Sequence, residues 1–342
     1  VAAETTEQVL EEIRRRHRPH GLTLMDPAQP DVRTSVENWA AGNGIPVEIV
    51  ENELWLTSRA EWADYRSSRR ELRMEHWYRR VRSARGWLMD PADPRMPIGG
   101  RWNLDTENRR RLDRDARVPT VPVRAHSSVL QAAIGELSAA RRPLFGSSET
   151  VRWPIARSEA LQELETFCTE RLAGFGPYED AMSRDHDHLF HSLLSPSINL
   201  GLLTPREVCE RALREHAARP DEIPLSSIEG FIRQILGWRE FMHHAYLDFA
   251  GDWEHDNGLE ARESLPEFYW TGETTMACVS RVVRKVAASG HAHHIERLMV
   301  LGNFALLFGV VPQQVDAWFL EAFVDAFRSE EHTSELQSRQ YL

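Results

Sequence analysis

Four short stretches of this chain hold side chains that could do chemistry. The first is His191-Ser192-Leu-Leu194-Ser195-Pro-Ser-Ile-Asn199-Leu-Gly201. Its small hydroxyls sit just before a helix start at Thr204-Pro205, where exposed backbone N–H groups favour an anion such as phosphate. A polar loop between two helices would have the same composition. The second is Gly290-His291-Ala-His293-His294-Ile-Glu-Arg297. Three imidazoles this close could be metal ligands, a surface cluster, or proton-handling groups, since histidine titrates near physiological pH. On a helix His293 and His294 point about 100° apart and would share a metal poorly, whereas each shares a face with Arg297. The third is Gln234-Ile-Leu-Gly237-Trp238-Arg239-Glu240-Phe241, with an amide and a guanidinium on one helix. The fourth is Gly100-Arg-Trp102-Asn103-Leu-Asp105-Thr-Glu107-Asn108-Arg109, rich in acceptors and amides, which suits a structural clamp between domains.

Single residues add to these. Asp325 is an acid near the end of the helical region. Cys278, in Met-Ala-Cys-Val-Ser, reads as a small apolar helix residue or as a metal thiolate. Trp270 and Trp318 read first as core packing.

The elements that must position these groups fall into two zones. Glu7 to His17 is a charged helix pattern. GLTLMDP and VEIVENELWLT read as short strands with turns and loops between them, the remains of an α/β domain. Ser58 to Arg85 reads as one long Arg-rich helix with Trp62, Tyr65, Trp77 and Tyr78 interleaved. Residues 128–154 are expected to connect this partial α/β domain, residues 1–127, to a nearly all-helical domain over residues 155–327. In that domain Ser158–Gly174, a helix opened by the Thr204-Pro205-Arg-Glu207 box, a helix opened by Ser226-x-x-Glu229, Leu265–Ala288, His291–Phe308 and Val315–Phe327 are the predicted helices.

The chain has 342 residues, enough for two cores. Its longest apolar run, Leu298 to Val311, is too short to span a bilayer, and Val1 to Leu10 carries no secretory signal. Three cysteines without regular spacing argue against a disulfide framework and for a reducing, cytoplasmic setting. The net charge of −11 weighs against nucleic-acid binding unless a local basic patch supplies it.

Taken together and in order, the stretches resemble the photolyase/cryptochrome superfamily in its iron–sulfur bacterial branch. Ser192, Leu194 and Ser195 match the flavin phosphate-binding run, with His191 where most members have Thr. The WREF segment matches the flavin-facing helix, with Gly237 shifting the helical spacing of Gln234 from the commoner form. Residues 100–109 match the branch motif GKWNFDxENR, and residues 293–297 its His-His-x-x-Arg motif. Leu298 stands where many (6-4) enzymes carry a further His.

The resemblance implies an N-terminal α/β domain, partial here, followed by an all-α FAD-binding domain. It implies light-driven repair of UV-damaged DNA, most directly (6-4) pyrimidine photoproducts, or alternatively a blue-light photoreceptor with the same flavin and no repair. Implied flavin contacts are His191, Ser192, Leu194, Ser195, Gln234, Arg239, Arg297 and Asp325. His293 and His294 face the lesion, and Trp270 and Trp318 carry electrons. Cys278 is the first of four thiolates of a [4Fe–4S] cluster whose other three are absent. A lumazine-type antenna, a monomeric state and a bacterial cytoplasmic location, nucleoid-associated when on DNA, follow by the same route. Arg328 to Leu342 resembles a translated sequencing adapter, and the chain is expected to be cut at both ends and inactive alone.

Overall fold

A computed structural model describes residues 5–121, 124–139, 145–148, 151–253 and 255–326. Phe327 and the adapter-like residues 328–342 lie outside it. The fold is mostly helical with one small sheet. Helix α1 (Thr6–His17) is followed by β1 (Leu22–Met25), α2 (Pro30–Gly42) and β2 (Val47–Val50). The two strands pair in parallel, Leu22 opposite Val47 and Met25 opposite Val50. A parallel pair needs a crossover, and α2 supplies it. That helix falls where turns and loops were expected. Pro30 at its first position starts it, and the backbone N–H of Asn43 closes it on the carbonyls of Trp39 and Ala40.

The expected strand through Thr57 ends at Val50. Beyond it the amides of Leu56 and Thr57 donate to the buried Glu240 carboxylate, not to a neighbouring strand. The long helix expected over 58–85 is two, α3 (Arg59–Ser67) and α4 (Met74–Arg85). Ser67 Oγ bonds the Asp64 carbonyl and Ser68 Oγ the Tyr65 carbonyl, and such side-chain bonds compete with helix continuation. The Tyr65 hydroxyl then bridges the break through the backbone of Arg73.

Helix α5 (Ser128–Ala139) lies in the expected connection. Next come α6 (Arg157–Thr166), a π-helical turn at Phe167–Arg171, α7 (Leu172–Phe175), the short α8 (Ser195–Asn199) and α9 (Pro205–Ala218). Helix α9 starts with the predicted capping box of Thr204 and Glu207. The second predicted box fails. Helix α10 (Leu225–Ile232) begins one residue before Ser226 with Pro224 at its cap, and Glu229 turns inward to accept from the Leu104 amide. A π-helical segment, Arg233–Arg239, joins α10 to α11 (Glu240–Trp253).

The helix expected over 265–288 is split into α12 (Phe268–Thr271) and α13 (Ala277–Ser289) by Gly272 at φ 70°, a left-handed conformation that favours glycine. The helix expected from His291 starts after His293, whose carbonyl accepts the Arg297 amide. It runs through a second long π-helical segment, Glu296–Gly302, into α14 (Asn303–Phe308). Helix α15 (Pro312–Ala322) follows.

Two apolar cores hold these elements. One gathers residues of α3, α4 and the helices from α6 to α11 around Trp77, Phe167, Leu172 and Phe231. The other packs α12 to α15 around Tyr269, Val283 and Trp318. No helix among the described residues is long and apolar enough to cross a membrane.

Candidate functional site

A cavity of about 280 Å³ opens where the two cores meet, with Phe175, Ile198 and Phe231 on one side and Phe319 on the other. This is near the lower end of the ~300–1,000 Å³ usual for small-molecule sites.

The loop before α8 forms one wall. Leu189 and Leu193 both take positive φ, 44° and 60°, which a leucine adopts only against steric cost. The second of these turns the chain so that Ser192, Leu194 and Ser195 all reach the cavity. Ser195 Oγ donates to Asp325 Oδ2 at 2.6 Å, and Asn199 Nδ2 donates to the Asp325 carbonyl at 2.9 Å. Arg297 Nη2 donates to both oxygens of Asp325 at 2.9 Å, and its Nε donates to the Ala292 carbonyl at 2.7 Å. Its guanidinium lies 4.2 Å from the centre of the Phe323 ring. Three distant parts of the chain thus share one polar network at the cavity edge.

The π-helical segment forms a second wall. In an α-helix, residues five apart point to different sides. A turn closed by i→i+5 bonds brings them together. Gln234 and Arg239 are five apart, and both line the cavity with Ile235 and Trp238. Gly237 lies within this wider turn, which leaves Gln234 on the site. Gly237 packs on α4, and a Cβ there would lie 3.0 Å from Met74 Sδ. Arg239 Nη1 donates to the Leu54 carbonyl at 2.6 Å, and its guanidinium sits 3.9 Å over Trp55. Trp55 in turn stacks at 3.5 Å on His243.

The third wall is histidine. His191 stacks on His293 at 4.7 Å with 12° between the planes, and His294 meets His191 edge-on at 5.7 Å. Because His293 precedes the helix, the 100° separation expected between it and His294 does not apply, and nitrogens of all three rings lie within 4.8 Å of one another. Two near-parallel imidazoles run their in-plane lone pairs side by side, so the stacked pair is poorly disposed to converge on one metal. Burial holds His191, His291 and His293 well below the usual imidazole pKa, and they stay neutral. His191 Nε2, His291 Nδ1 and His293 Nδ1 are buried without a protein hydrogen-bond partner. His294 is more open, and its Nε2 lies 3.2 Å from Asp180 Oδ1.

The motif at 100–109 buttresses the site from behind. Asp105 pairs with Arg233 at 3.0 Å, and Asn108 Nδ2 donates to Glu179 Oε2 at 2.7 Å. Arg109 lies 3.7 Å from Asp180. These contacts fasten the loop to the π-helical segment and to residues 179–180. Glu179 and Asp180 are site residues that sequence reasoning missed, while His291 and Asn199 lie in two of the stretches it singled out without being expected to touch a ligand. The Glu179-Asp180 pair lies in a loop with no periodic pattern, and its partners are tens of residues away.

Three expected residues stand outside the cavity lining. Trp318 is buried in the second core, and Trp270 is 40% exposed, with their rings 6.5 Å apart. Trp318 also touches Phe323 at 5.7 Å, the ring beneath Arg297. Cys278 is exposed, while Cys168 and Cys209 are buried. A [4Fe–4S] cluster takes four thiolates. One exposed thiol does not make that set, so the residues present do not fit the cluster.

Residues 2–153 match the family model described as deoxyribodipyrimidine photo-lyase-related protein. A (6-4) photolyase of Agrobacterium fabrum is 38% identical over 309 residues, 90% of this chain and 60% of that protein. An uncharacterized protein of Acanthamoeba polyphaga mimivirus is 35% identical over 97 residues, 28% of this chain and 73% of its own length. Among solved structures, a bacterial class III photolyase from Agrobacterium tumefaciens has a similar fold with a TM-score of 0.61 and 16% identity, over 96% of this chain and 63% of that one. A Synechocystis sp. PCC6803 cryptochrome has a TM-score of 0.65 and 14% identity, over 97% and 65%. The chain spans about three fifths of the length of the (6-4) photolyase it matches. The matches in sequence and in fold agree, and the chain belongs to the photolyase/cryptochrome superfamily, among the deoxyribodipyrimidine photo-lyase-related proteins.

Proposed function

We propose that this chain is the flavin-binding portion of a DNA photolyase that repairs (6-4) pyrimidine photoproducts in light. One observation carries the reading. His191, Ser192, Leu194, Ser195, Gln234, Arg239, His293, His294, Arg297 and Asp325, ten groups from four separate stretches, line a single cavity.

The donor set suits FAD. Ser192 and Arg239 would hold phosphate oxygens through a hydroxyl and a guanidinium. Arg297 and Asp325, fixed by Ser195, would meet the polar edge of the ring system. Bound there, the flavin supplies light absorption and the transferable electron. The chain's own part is positional. Phe175, Phe231, Trp238 and Phe319 exclude water, and the Arg297–Asp325 pair fixes charge beside the cofactor.

A damaged pair of adjacent pyrimidines, taken out of the duplex stack, would enter past His293 and His294. His293 is buried and neutral, and its free Nδ1 offers one hydrogen bond to a polar ligand. His294, whose Nε2 faces Asp180, stands at the open side of the cavity, where an imidazole can pass a proton to or from a lesion oxygen. The two imidazoles inside the cavity favour repair over photoreception alone. Trp318 and Trp270 form a ring path from beneath Arg297 to the surface and would carry an electron inward from an external one-electron reductant to the cofactor. Residues 1–127 as a partial antenna-type domain, with a lumazine-type pigment, and 155–327 as the FAD domain belong to the same proposal.

Illumination of the full-length protein with an oligonucleotide carrying one (6-4) photoproduct tests it. Light-dependent loss of the lesion is expected, with His294→Ala slowed at least tenfold. Flavin binding with no repair of (6-4) or cyclobutane lesions would move the assignment to a photoreceptor.

A further inference from the structure

Glu179 is more than nine-tenths buried and belongs to none of the expected contacts, yet it sits at the cavity wall. Its two oxygens are both used. Oε1 accepts from Gln234 Nε2 at 2.6 Å, and Oε2 accepts from Asn108 Nδ2 at 2.7 Å. Gly230 makes room for this arrangement, since a Cβ there would lie 2.7 Å from Asn108 Nδ2 and 3.1 Å from Glu179 Oε2.

An amide can present either its oxygen or its NH₂ to a ligand, and the choice is set by its other neighbour. A carboxylate can only accept. It therefore takes the Gln234 NH₂ and leaves Gln234 Oε1 as the amide atom that Glu179 does not engage, on a side chain that lines the cavity. We infer that Glu179 is a positioning residue that locks Gln234 as a hydrogen-bond acceptor in the cavity, so that the ligand group docking there is a donor of the imide N–H type. Asn108 holds Glu179 from behind, which gives the loop at residues 100–109 a part in ligand selection. This rests on the functional reading above, in which two imides enter the cavity, one on the flavin ring and one on the damaged pyrimidine.

Exchange of the two side chains tests the lock. In Glu179→Gln the new amide can donate to Gln234 Oε1 and turn its NH₂ toward the ligand, so donor faces donor. In the double exchange Glu179→Gln/Gln234→Glu, the amide now at position 179 donates to the carboxylate now at position 234, which again offers an oxygen to the cavity. Affinity for FAD in the dark without DNA, and affinity of the FAD-loaded full-length protein for a (6-4) oligonucleotide, separate the two imide sources. Glu179→Gln is expected to weaken one of them by about 10- to 100-fold, the usual penalty for an unmatched buried polar group. The double variant should recover to within about threefold.

Selective ¹⁵N labelling gives a ligand-free readout: the Gln234 side-chain amide signals should move in Glu179→Gln. Unchanged affinities and unmoved amide signals in the single variant would overturn the inference, as would a folded double variant no better than the single. If the wild type binds neither ligand while the amide signals move as expected, the functional reading fails and the lock stands.

Discussion

The Arg297–Asp325 pair offers the sharpest test of how the cavity edge is held. Their side chains are 18% and 8% exposed, so the pair is largely out of water. Arg297→Met removes the guanidinium and leaves a buried carboxylate with the Ser195 hydroxyl as its remaining side-chain donor. Breaking a buried pair from one side costs about 3–5 kcal/mol, and the surviving Ser195 bond places this case near ~3 kcal/mol. At about 2.1 cal/mol/K per residue, a chain of 342 residues unfolds with roughly 0.7 kcal/mol/K, so Tm should fall by about 4 °C. Asp325→Asn should cost a similar amount, because it leaves Arg297 facing an amide. The double variant Arg297→Met/Asp325→Asn buries no charge, so calorimetry of the four proteins should give a coupling energy of at least ~1.5 kcal/mol. Losses that add to within about 0.5 kcal/mol would refute the claim that these groups act as a unit.

Deleting Gly237 returns the segment to α-helical spacing and turns everything before it by about 100°, which carries Gln234 off the cavity. FAD affinity should drop at least tenfold, whereas Gly237→Ala, whose Cβ meets the flexible Met74 sulfur, should bind nearly as the wild type. Gly176→Ala would put a Cβ 2.6–2.8 Å from backbone atoms of Ser226 and Ser227 and should cost about 1–3 kcal/mol in unfolding. Gly251→Ala, in open space on α11, should be neutral or stabilising by up to ~1 kcal/mol. Burial lowers the pKa of His244 to about 4, so it is neutral when folded and protonates near 6.5 when unfolded. The unfolded chain then binds more protons between those values, and stability should fall as pH drops from about 6.5 to 4. His244→Phe, which keeps a ring against Trp62, should flatten that slope in urea titrations. Asp105 works in the same direction at lower pH. Burial opposes its ionisation, but Arg233 and Arg109 outweigh it and hold its pKa low, so its contribution is present above about pH 4 and lost as pH falls further. Asp105→Asn should erase that loss.

Much of the site was legible because its residues come in short runs. Ser192 to Ser195 and His293 to Arg297 each travel together, and local chain direction places a run as a unit. The Arg297–Asp325 pairing was expected from resemblance, and its geometry depends on Ser195, 130 residues away. Helical spacing misplaced His293, and it does not by itself account for Gln234 and Arg239 sharing one wall. A π-turn differs from an α-turn by one residue in its hydrogen bonds, and packing against α4 selects it. The helix start after His293 is set by where the backbone bonds begin, which composition does not encode. Ser67 and Ser68 broke a helix that apolar periodicity continued, since their hydroxyls bond carbonyls that periodicity ignores. Glu179 was invisible because its partners, Asn108 and Gln234, come from separate stretches and meet only in the folded chain.

The most direct measurement is equilibrium titration of the purified protein with FAD, followed by flavin fluorescence, alongside Ser195→Ala and Arg239→Ala. One equivalent should bind to the wild type, with each variant weakened by tenfold or more. A protein that takes up no FAD, or one whose affinity ignores both substitutions, would contradict the claim that this cavity is a flavin site.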